Sequence, residues 1–371
     1  MLIITVIAAF LFTGYSILIL TYWWAWRTVP SFTASGEPST RVSIVIPVRN
    51  EEANIGNLLA ALQEQVYPPG LLEIIVVDDH SEDATVQVIR KFEGIKLVSL
   101  PDQEINSYKK KSIETGIAAA GGELIITTDA DCIPSPGWLH SMVRFYETSE
   151  VVFIAAPVRF TTDRTILAMF QAMDFMVLQG ITAASVHKKI HAMCNGANMA
   201  YTRKVFYEVD GFRGIDHIAS GDDMLLMYKI RQRYPDKVKY LRAEEAIMFT
   251  SPQETLRSFI NQRIRWASKA TSYQEKNMLP VLALVYFFNL LFPALIIAAF
   301  WNPRCWLLAA TLWVGKTIIE MPFYWSVSGF YRMRWSAALL FFFQPLHIVY
   351  TIVSGFLGQF RTYEWKGRKV S

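Results

Sequence analysis

The stretch Leu124-Ile-Ile-Thr-Thr-Asp-Ala-Asp-Cys132 decides the fold. Its first residues are apolar and β-branched, which is typical of a buried strand, and it then stops on two carboxylates, Asp129 and Asp131. Two like charges at the end of a buried strand repel each other, and no basic residue in the stretch neutralises them. We therefore expect a positively charged partner from outside the chain to compensate these two carboxylates.

The chain before this stretch alternates strand and helix patterns. Strands are predicted at Arg41–Pro47, Leu72–Val77 and Ile95–Leu100, followed by the one at Leu124–Thr128. Helices are predicted at Glu51–Gln65, from Ser81 onward, and at Lys109–Ala120. This β-α-β-α-β-α-β order predicts an α/β fold with a Rossmann-like, mostly parallel sheet.

Three of the predicted strands end in polar loops. These loops are Pro47–Glu51, Asp78-Asp79 and Asp129–Asp131. Because ligands of open α/β sheets bind at the carboxyl ends of the strands, we expect the three loops to form one site. The sequence contains neither G-x-G-x-x-G after the first strand nor G-x-x-x-x-G-K-[ST], which argues against a dinucleotide enzyme and a P-loop NTPase.

The composition indicates a membrane protein. Hydrophobic residues make up 52% of the 371 and charged residues only 18%, and the apolar excess lies at the two ends of the chain. Leu2–Trp24 carries no charge over 23 residues, enough to cross about 30 Å of hydrocarbon as a helix. The absence of an early Lys or Arg and of a small-x-small cleavage site favours an uncleaved anchor over a signal peptide.

Three further apolar stretches follow near the C-terminus, at Leu279–Trp301, Cys305–Trp325 and Trp335–Leu357. The predicted organisation is an anchor (1–26), a central α/β domain (27–276), membrane helices (277–358) and a basic tail (359–371).

The distribution of Lys and Arg predicts the orientation. Arg27 and Arg41 follow the anchor, which places the central domain in the cytoplasm of an integral cell-membrane protein. The basic tail also favours the cytoplasm, yet three crossings after the domain would put it outside. One stretch is therefore expected not to cross, either the second, which contains Lys316 and Glu320, or the third, which contains Pro345 and His347.

Cysteine content and net charge exclude other classes. Cys132, Cys194 and Cys305 are far apart, which predicts neither a disulfide framework nor a zinc site. The net charge of +4 and the absence of a known motif indicate no nucleic-acid partner. The oligomeric state is left open.

Two acidic pairs near the predicted site each allow two interpretations. Asp129 and Asp131 fit a hard divalent cation, Mg²⁺ or Mn²⁺, that also binds a diphosphate, but Asp131 could instead cap a following turn. Asp78 and Asp79 could cap the next helix, or one of them could accept hydrogen bonds from a nucleoside.

Two later segments are equally ambiguous. Asp222 and Asp223 precede an apolar helix, which suits either a general base or an ordinary N-cap. Gln262-Arg-Ile-Arg-Trp266 could neutralise a leaving diphosphate through Arg265 and stack Trp266 on a sugar, or it could be a juxtamembrane helix at the lipid headgroups.

In this order, the motifs resemble those of family 2 glycosyltransferases, inverting enzymes of the GT-A fold that use nucleotide-diphosphate sugars. The resemblance spans about Val42 to Trp266. It is carried by the segments SIVIPVRNE at 43–51, VDDHSEDAT at 77–85, KKKSIETG at 109–116, TDAD at 128–131, CNGANMAY at 194–201, VDGF at 209–212 and QRIRW at 262–266. Three departures are Asp222 where the family usually has Glu, and His80 and Asp210 where Gly is commoner.

The resemblance implies a role for each matching residue. Nucleotide or donor binding is implied for Pro47, Arg49, Glu51, Asp78, Asp79, Lys109, Asp129 and Asn198. Asp129 and Asp131 would hold the metal, Mg²⁺ or Mn²⁺, and Asp223, beside Asp222, would be the catalytic base. Gln262, Arg265 and Trp266 would bind the diphosphate and the acceptor.

The activity that the resemblance implies is transfer of one sugar from a nucleotide-diphosphate sugar, with a UDP-sugar expected, to a membrane lipid or lipid-linked acceptor. A processive polysaccharide synthase is the alternative, although the few apolar stretches argue against an export channel. A non-catalytic scaffold would be expected to lack one of the catalytic carboxylates, and all are present. The apolar, Met-rich segment 160–189 fits either an interfacial helix or a core helix of the domain.

Overall fold

A computed structural model describes residues 1–102, 107–161, 165–218, 221–268 and 278–359, and the backbone of 363–365 and 368–370. The chain forms two compact units. The helical unit comprises Met1–Thr28, Thr162–His191 and Gln253–Arg361. The α/β unit comprises Val29–Thr161, Ala192–Pro252 and Thr362–Ser371. The side chains of the predicted basic tail, from residue 360 onward, lie outside the described residues.

The α/β unit is built on a seven-stranded sheet. The strands of this unit are β1 (Val42–Val48), β2 (Leu72–Asp78), β3 (Ile95–Ser99), β4 (Leu124–Thr127), β5 (Cys132–Pro134), β6 (Phe153–Ala155), β7 (Val158–Phe160), β8 (Met199–Thr202), β9 (Val238–Tyr240), β10 (Met248–Thr250), β11 (Tyr363–Trp365) and β12 (Arg368–Val370). The large sheet has the order β3-β2-β1-β4-β8-β6-β9, and β5, β10 and β7 form a second sheet.

The four strands expected from the sequence are confirmed as the parallel half of the sheet. β1 pairs in parallel with both β2 and β4, and β2 with β3. β8 then runs antiparallel to β4 and β6, so the sheet is mixed but mostly parallel. Because β1, β2 and β4 are parallel neighbours, their carboxyl ends lie at one edge and bring the three polar loops together.

Short helices cover this sheet: α2 (Ile55–Gln63), α3 (Thr85–Ile89), α4 (Tyr108–Ala119), α5 (Trp138–Ser149), α7 (Arg203–Glu208) and α8 (Met224–Arg233). Helix α4 lies close against β1. A Cβ atom at Gly116 of α4 would fall 2.4 Å from Cγ1 of Val45, so a side chain there would push the helix off the strand. This close approach brings Lys109, in the first turn of α4, to the edge of the sheet where the polar loops lie.

The helical unit contains α1 (Leu2–Thr28), α6 (Ile166–Lys188), α9 (Leu256–Ser268), α10 (Met278–Ala298), α11 (Arg304–Phe330) and α12 (Leu340–Leu357). By length and composition, four segments of the described residues could cross a membrane: α1, α6, α10 and Arg334–Leu357. The central domain predicted at 27–276 covers the sequence of α6 and α9. In the structure these two helices pack in the helical unit and not in the α/β unit. Helix α6 is mostly buried within that unit.

The charges inside α11 are compensated by neighbouring helices. Lys316 is 1% exposed, and its Nζ lies 2.6 Å from Oε1 of Glu320 and 2.5 Å from Oε1 of Gln344 on α12. The hydroxyl of Tyr15 on α1 donates to Glu320. Since both charges have partners inside the unit, they no longer argue against a membrane-crossing α11.

Candidate active site

A cluster of acidic side chains around one lysine lies at the strand ends of the α/β unit. Nζ of Lys109 lies 2.7 Å from Oδ1 of Asp129, which follows β4, and 3.2 Å from Oδ2 of Asp222, just before α8. Asp131 and Asp223 are the neighbouring carboxylates in the chain. Two acidic segments that are far apart in the sequence thus meet at one ammonium group.

The cluster contains more negative than positive charge. Burial alone would lower the pKa of Lys109, but the charges of Asp129 and Asp222 outweigh it and raise that pKa above its ordinary value. Loss of solvent and then the charges of Asp129 and Glu51 raise the pKa of Asp131. One lysine does not balance these carboxylates, and a divalent cation would.

The residues present fit a Mg²⁺ or Mn²⁺ ion that is shared with a substrate. Carboxylate oxygens are the ligands these hard cations prefer, and Mg²⁺ typically takes one or two carboxylates plus substrate phosphates and water. Among the described residues, no group of three or more His, Cys, Asp and Glu side chains could hold a metal by itself. Asp129 and Asp131 would therefore supply the protein ligands and a diphosphate the remainder.

Asp223 begins helix α8, and both of its carboxylate oxygens accept backbone hydrogen bonds. Oδ1 accepts from the N–H of Met224 at 2.7 Å and Oδ2 from the N–H of Gly196 at 3.2 Å. The N-cap interpretation is thus realised, and the two contacts fix the direction of the carboxylate. The half-buried group keeps lone pairs that could accept a proton, so capping and base roles are compatible.

Gly196 gives the cluster its space. A Cβ atom at this position would lie 3.1 Å from Oδ2 of Asp222 and 3.3 Å from Nζ of Lys109. Both distances are tighter than ordinary contacts, so a side chain would displace the Lys109–Asp222 pair. This explains why the segment that begins at Cys194 carries a glycine opposite the acidic residues.

The first two strand-end loops are tied together by Arg49. This residue is 8% exposed, and its Nη1 donates to the carbonyls of Asp79 at 2.8 Å and His80 at 2.7 Å. Its Nη2 pairs with Glu82 at 2.9 Å. These contacts hold the loop after β2 against the end of β1, where Pro47 pairs with Val77. Arg49 therefore shapes the predicted nucleotide loop.

Asp78 and Asp79, the two acidic residues after β2, make different contacts. Both oxygens of Asp78 accept from the N–H of Ser81, at 3.2 and 3.4 Å, so this carboxylate holds its own loop. Oδ1 of Asp79 lies 3.2 Å from Nδ1 of His80. His80 has a φ of +54°, the left-handed region that glycine occupies most easily, which gives a backbone reason for glycine at this position.

Asn198 is a buried side chain that connects three segments of the fold. It is 0% exposed, and both of its amide hydrogens are used, by the carbonyls of Pro157 at 2.7 Å and Ala246 at 2.9 Å. Its oxygen accepts from Nε1 of Trp138 at 2.9 Å. These three hydrogen bonds give Asn198 a structural role, and the donor contact stays a prediction.

The predicted diphosphate and acceptor motif lies on α9 of the helical unit. Gln262, Arg265 and Trp266 are all half-buried there. Trp266 packs against Phe175 of α6 with ring centroids 6.0 Å apart. The side-chain amide oxygen of Gln262 is buried without a hydrogen-bond partner among the described residues.

Sequence reasoning missed Lys110. This residue is 2% exposed, and its Nζ donates to the carbonyls of Ile215 and Ile218, both at 2.6 Å. It therefore anchors the segment that leads towards Asp222 and Asp223. In the sequence it is one of three consecutive lysines, and only its helical position, pointing away from Lys109, could have separated the two roles.

The sheet, its strand order and the acidic site at its edge define a GT-A glycosyltransferase fold. The chain superposes on the mannosyltransferase PcManGT from Pyrobaculum calidifontis, solved in complex with GDP-Man and Mn2+, with a TM-score of 0.58 and 19% identity. That comparison covers 95% of this chain and 99% of the other. At this identity the likeness shows the fold alone.

Residues 43–210 match the family model "Glycosyl transferase family 2". This part of the chain, a little under half of it, is therefore similar to glycosyltransferase family 2. A probable glycosyltransferase of Bacillus subtilis, YdaM, is 27% identical over 249 residues, which is 65% of this chain and 58% of that protein. The dodecaprenyl-phosphate galacturonate synthase of Rhizobium johnstonii is 34% identical over 129 residues, 33% of this chain and 38% of that protein. The chain thus spans less than two thirds of these relatives' length.

Proposed function

We propose that this protein is an inverting, metal-dependent glycosyltransferase that moves one sugar from a nucleotide-diphosphate sugar to a membrane lipid or lipid-linked acceptor. The observation that supports it most is the acidic cluster around Lys109, because its shortage of positive charge suits a diphosphate–metal complex. The helical unit and the similarity to a synthase of a lipid-linked sugar support a lipid acceptor.

The proposed reaction is a single displacement. The acceptor oxygen attacks the anomeric carbon, the bond from that carbon to the diphosphate oxygen breaks, and Asp223 takes the acceptor proton. A metal at Asp129 and Asp131, when bound, would stabilise the charge on the leaving diphosphate. Lys109 stays beside Asp129 and adds a fixed positive charge at the same edge.

A donor screen tests this function. We expect purified protein in lipid nanodiscs to transfer sugar from one nucleotide sugar into an organic-extractable product, identified by mass spectrometry as a lipid with one added sugar. EDTA should abolish transfer, and Mn²⁺ or Mg²⁺ should restore it. A long polymer as the product would overturn single transfer, and full activity in EDTA would overturn the metal assignment.

We further propose that α1, α10 and α11 cross the membrane and that α12 does not. Helices α1 and α11 run parallel, because contacts join their beginnings, middles and ends: Met1–Cys305, Tyr15–Glu320, Trp23–Ser326 and Trp26–Phe330. Each has 27 residues, or about 40 Å of helix, which exceeds the hydrocarbon thickness. A short link after α10 reverses the chain before α11.

Helix α12 lies across these helices. Near its start, the ring of Phe341 stacks on Trp313 of α11, and near its end Gly355 approaches Tyr286 of α10. Trp313 lies four residues before the middle of α11, and Tyr286 lies two residues before the middle of α10. Because α10 and α11 run in opposite directions, the two ends of α12 differ in depth by about 9 Å. An 18-residue helix that crosses would span about 27 Å. Three crossings leave the α/β unit and residue 359 on the same side, the cytoplasm.

Cysteine labelling tests this topology. In a variant with Cys132, Cys194 and Cys305 replaced by serine, single cysteines at Glu64, Trp301 and Gln359 would be exposed to a membrane-impermeant maleimide in oriented vesicles. We expect Glu64→Cys and Gln359→Cys to react from the same side and Trp301→Cys from the other. Reaction of Gln359→Cys together with Trp301→Cys would show that α12 crosses.

A further inference from the structure

Two opposite charges are buried inside the helical unit. Nη2 of Arg263 on α9 lies 2.9 Å from Oδ2 of Asp174 on α6, and the side chains are 3% and 4% exposed. Removing two charges from solvent is costly, and a buried pair is weak evidence for stability by itself. We therefore looked for a role of this pair other than stability in the side chains that surround Arg263.

The guanidinium of Arg263 is enclosed by aromatic rings. It lies 4.3 Å from the ring centroid of Trp266, 5.0 Å from that of Phe259 and 5.8 Å from that of Tyr350. The Trp266 contact is the shortest, and in a desolvated setting such a cation–π contact is strong. Trp266 also packs on Phe175, so two side chains contact its ring.

Asp174 supplies the opposite charge for the guanidinium. The hydroxyl of Tyr350 on α12 donates to Oδ1 of Asp174, which leaves Oδ2 towards Arg263. None of the three guanidinium nitrogens of Arg263 makes a hydrogen bond among the described residues, so its contact with Asp174 is one of charge and distance. The orientation of Arg263 therefore depends on Asp174 and on the stacked rings, and helices α6, α9 and α12 all contribute.

We propose that Arg263 is a positioning residue that holds the Trp266 ring as a platform for the acceptor. This inference rests on the proposed function and on the acceptor-binding role that the family resemblance implies for Trp266. The planar guanidinium can pair with Asp174 and stack on Trp266 at once, whereas a lysine ammonium keeps the charge but cannot stack face to face. Arg263, which lies between Gln262 and Arg265 in the motif, thus positions the Trp266 ring.

The test compares Arg263→Lys with Arg257→Lys, an exposed arginine on the same helix. We expect Arg263→Lys to raise the acceptor KM about 5- to 30-fold, the range of a buried cation–π contact, and to leave the donor KM within about twofold. Arg257→Lys should change neither constant. Equal acceptor KM values for wild type and Arg263→Lys would overturn the proposal.

A spectroscopic readout keeps the proposal testable without activity. In protein labelled with 5-fluorotryptophan, the ¹⁹F resonance of Trp266 is assigned by its loss in Trp266→Phe. We expect Arg263→Lys to shift or broaden this resonance and Arg257→Lys to leave it unchanged. An unchanged resonance overturns the positioning role, whereas a shifted resonance in a protein that transfers no sugar overturns the proposed function alone.

Discussion

Replacement of Asp223 by asparagine is expected to lower kcat for sugar transfer to a hydroxyl acceptor by about 10²- to 10⁴-fold, the usual contribution of a general base. The substitution removes the proton-accepting charge but keeps the shape. An asparagine oxygen can still accept from the N–H of Met224 and cap α8, so the fold should be retained. The donor KM should change little, because the metal and Lys109 are untouched. Initial rates at saturating donor measure the effect.

The matched control is Asp210→Asn. Asp210 is an exposed carboxylate with a φ of +55°, a conformation that asparagine also adopts readily, so we expect activity and melting temperature to stay near wild type. Wild-type activity in Asp223→Asn with a hydroxyl acceptor would refute the base assignment. A lipid phosphate acceptor is already ionised near neutral pH, so with that acceptor the loss should be much smaller.

Local sequence patterns were sufficient for the parallel half of the sheet. Val42–Val48, Leu72–Asp78 and Leu124–Thr127 are short, apolar and β-branched, and each is followed by a polar loop, so strand identity and the shared edge could both be inferred. The other strands of the large sheet were harder. β6, β8 and β9 have only three or four residues, too few to show a period, and only β8 runs antiparallel to its neighbours.

Side-chain roles at the site needed tertiary information. Arg49 and Asn198 stand in motifs that suggest ligand contact, yet the structure shows both holding backbone carbonyls of other segments. Lys109 and Lys110 are neighbours with the same chemistry, but their side chains leave α4 on different faces. Lys109 therefore reaches Asp129, and Lys110 reaches the carbonyl of Ile215. No local pattern distinguishes such cases.

The buried pair in the helical unit was hidden for the same reason. Asp174 lies in an apolar helix and Arg263 in a basic one, and 89 residues separate them, so neither suggests the other. We expect Asp174→Asn to lower the free energy of unfolding by about 3–5 kcal/mol, because it leaves the Arg263 charge buried without its partner. Thermal unfolding in detergent, compared at one scan rate, measures the loss.

Two comparisons show whether the uncompensated charge is the cause. In the double variant Asp174→Leu, Arg263→Met the buried charge is gone, so we expect it to recover a large part of the stability that Asp174→Asn loses. Glu114→Gln breaks the pair of Glu114 with Lys111, 2.8 Å apart but more than 40% exposed on both sides, and should cost less than about 1 kcal/mol. If Asp174→Asn were no more harmful than Glu114→Gln, the Arg263 charge would have to be solvated, and the enclosed stack on Trp266 would not exist as described.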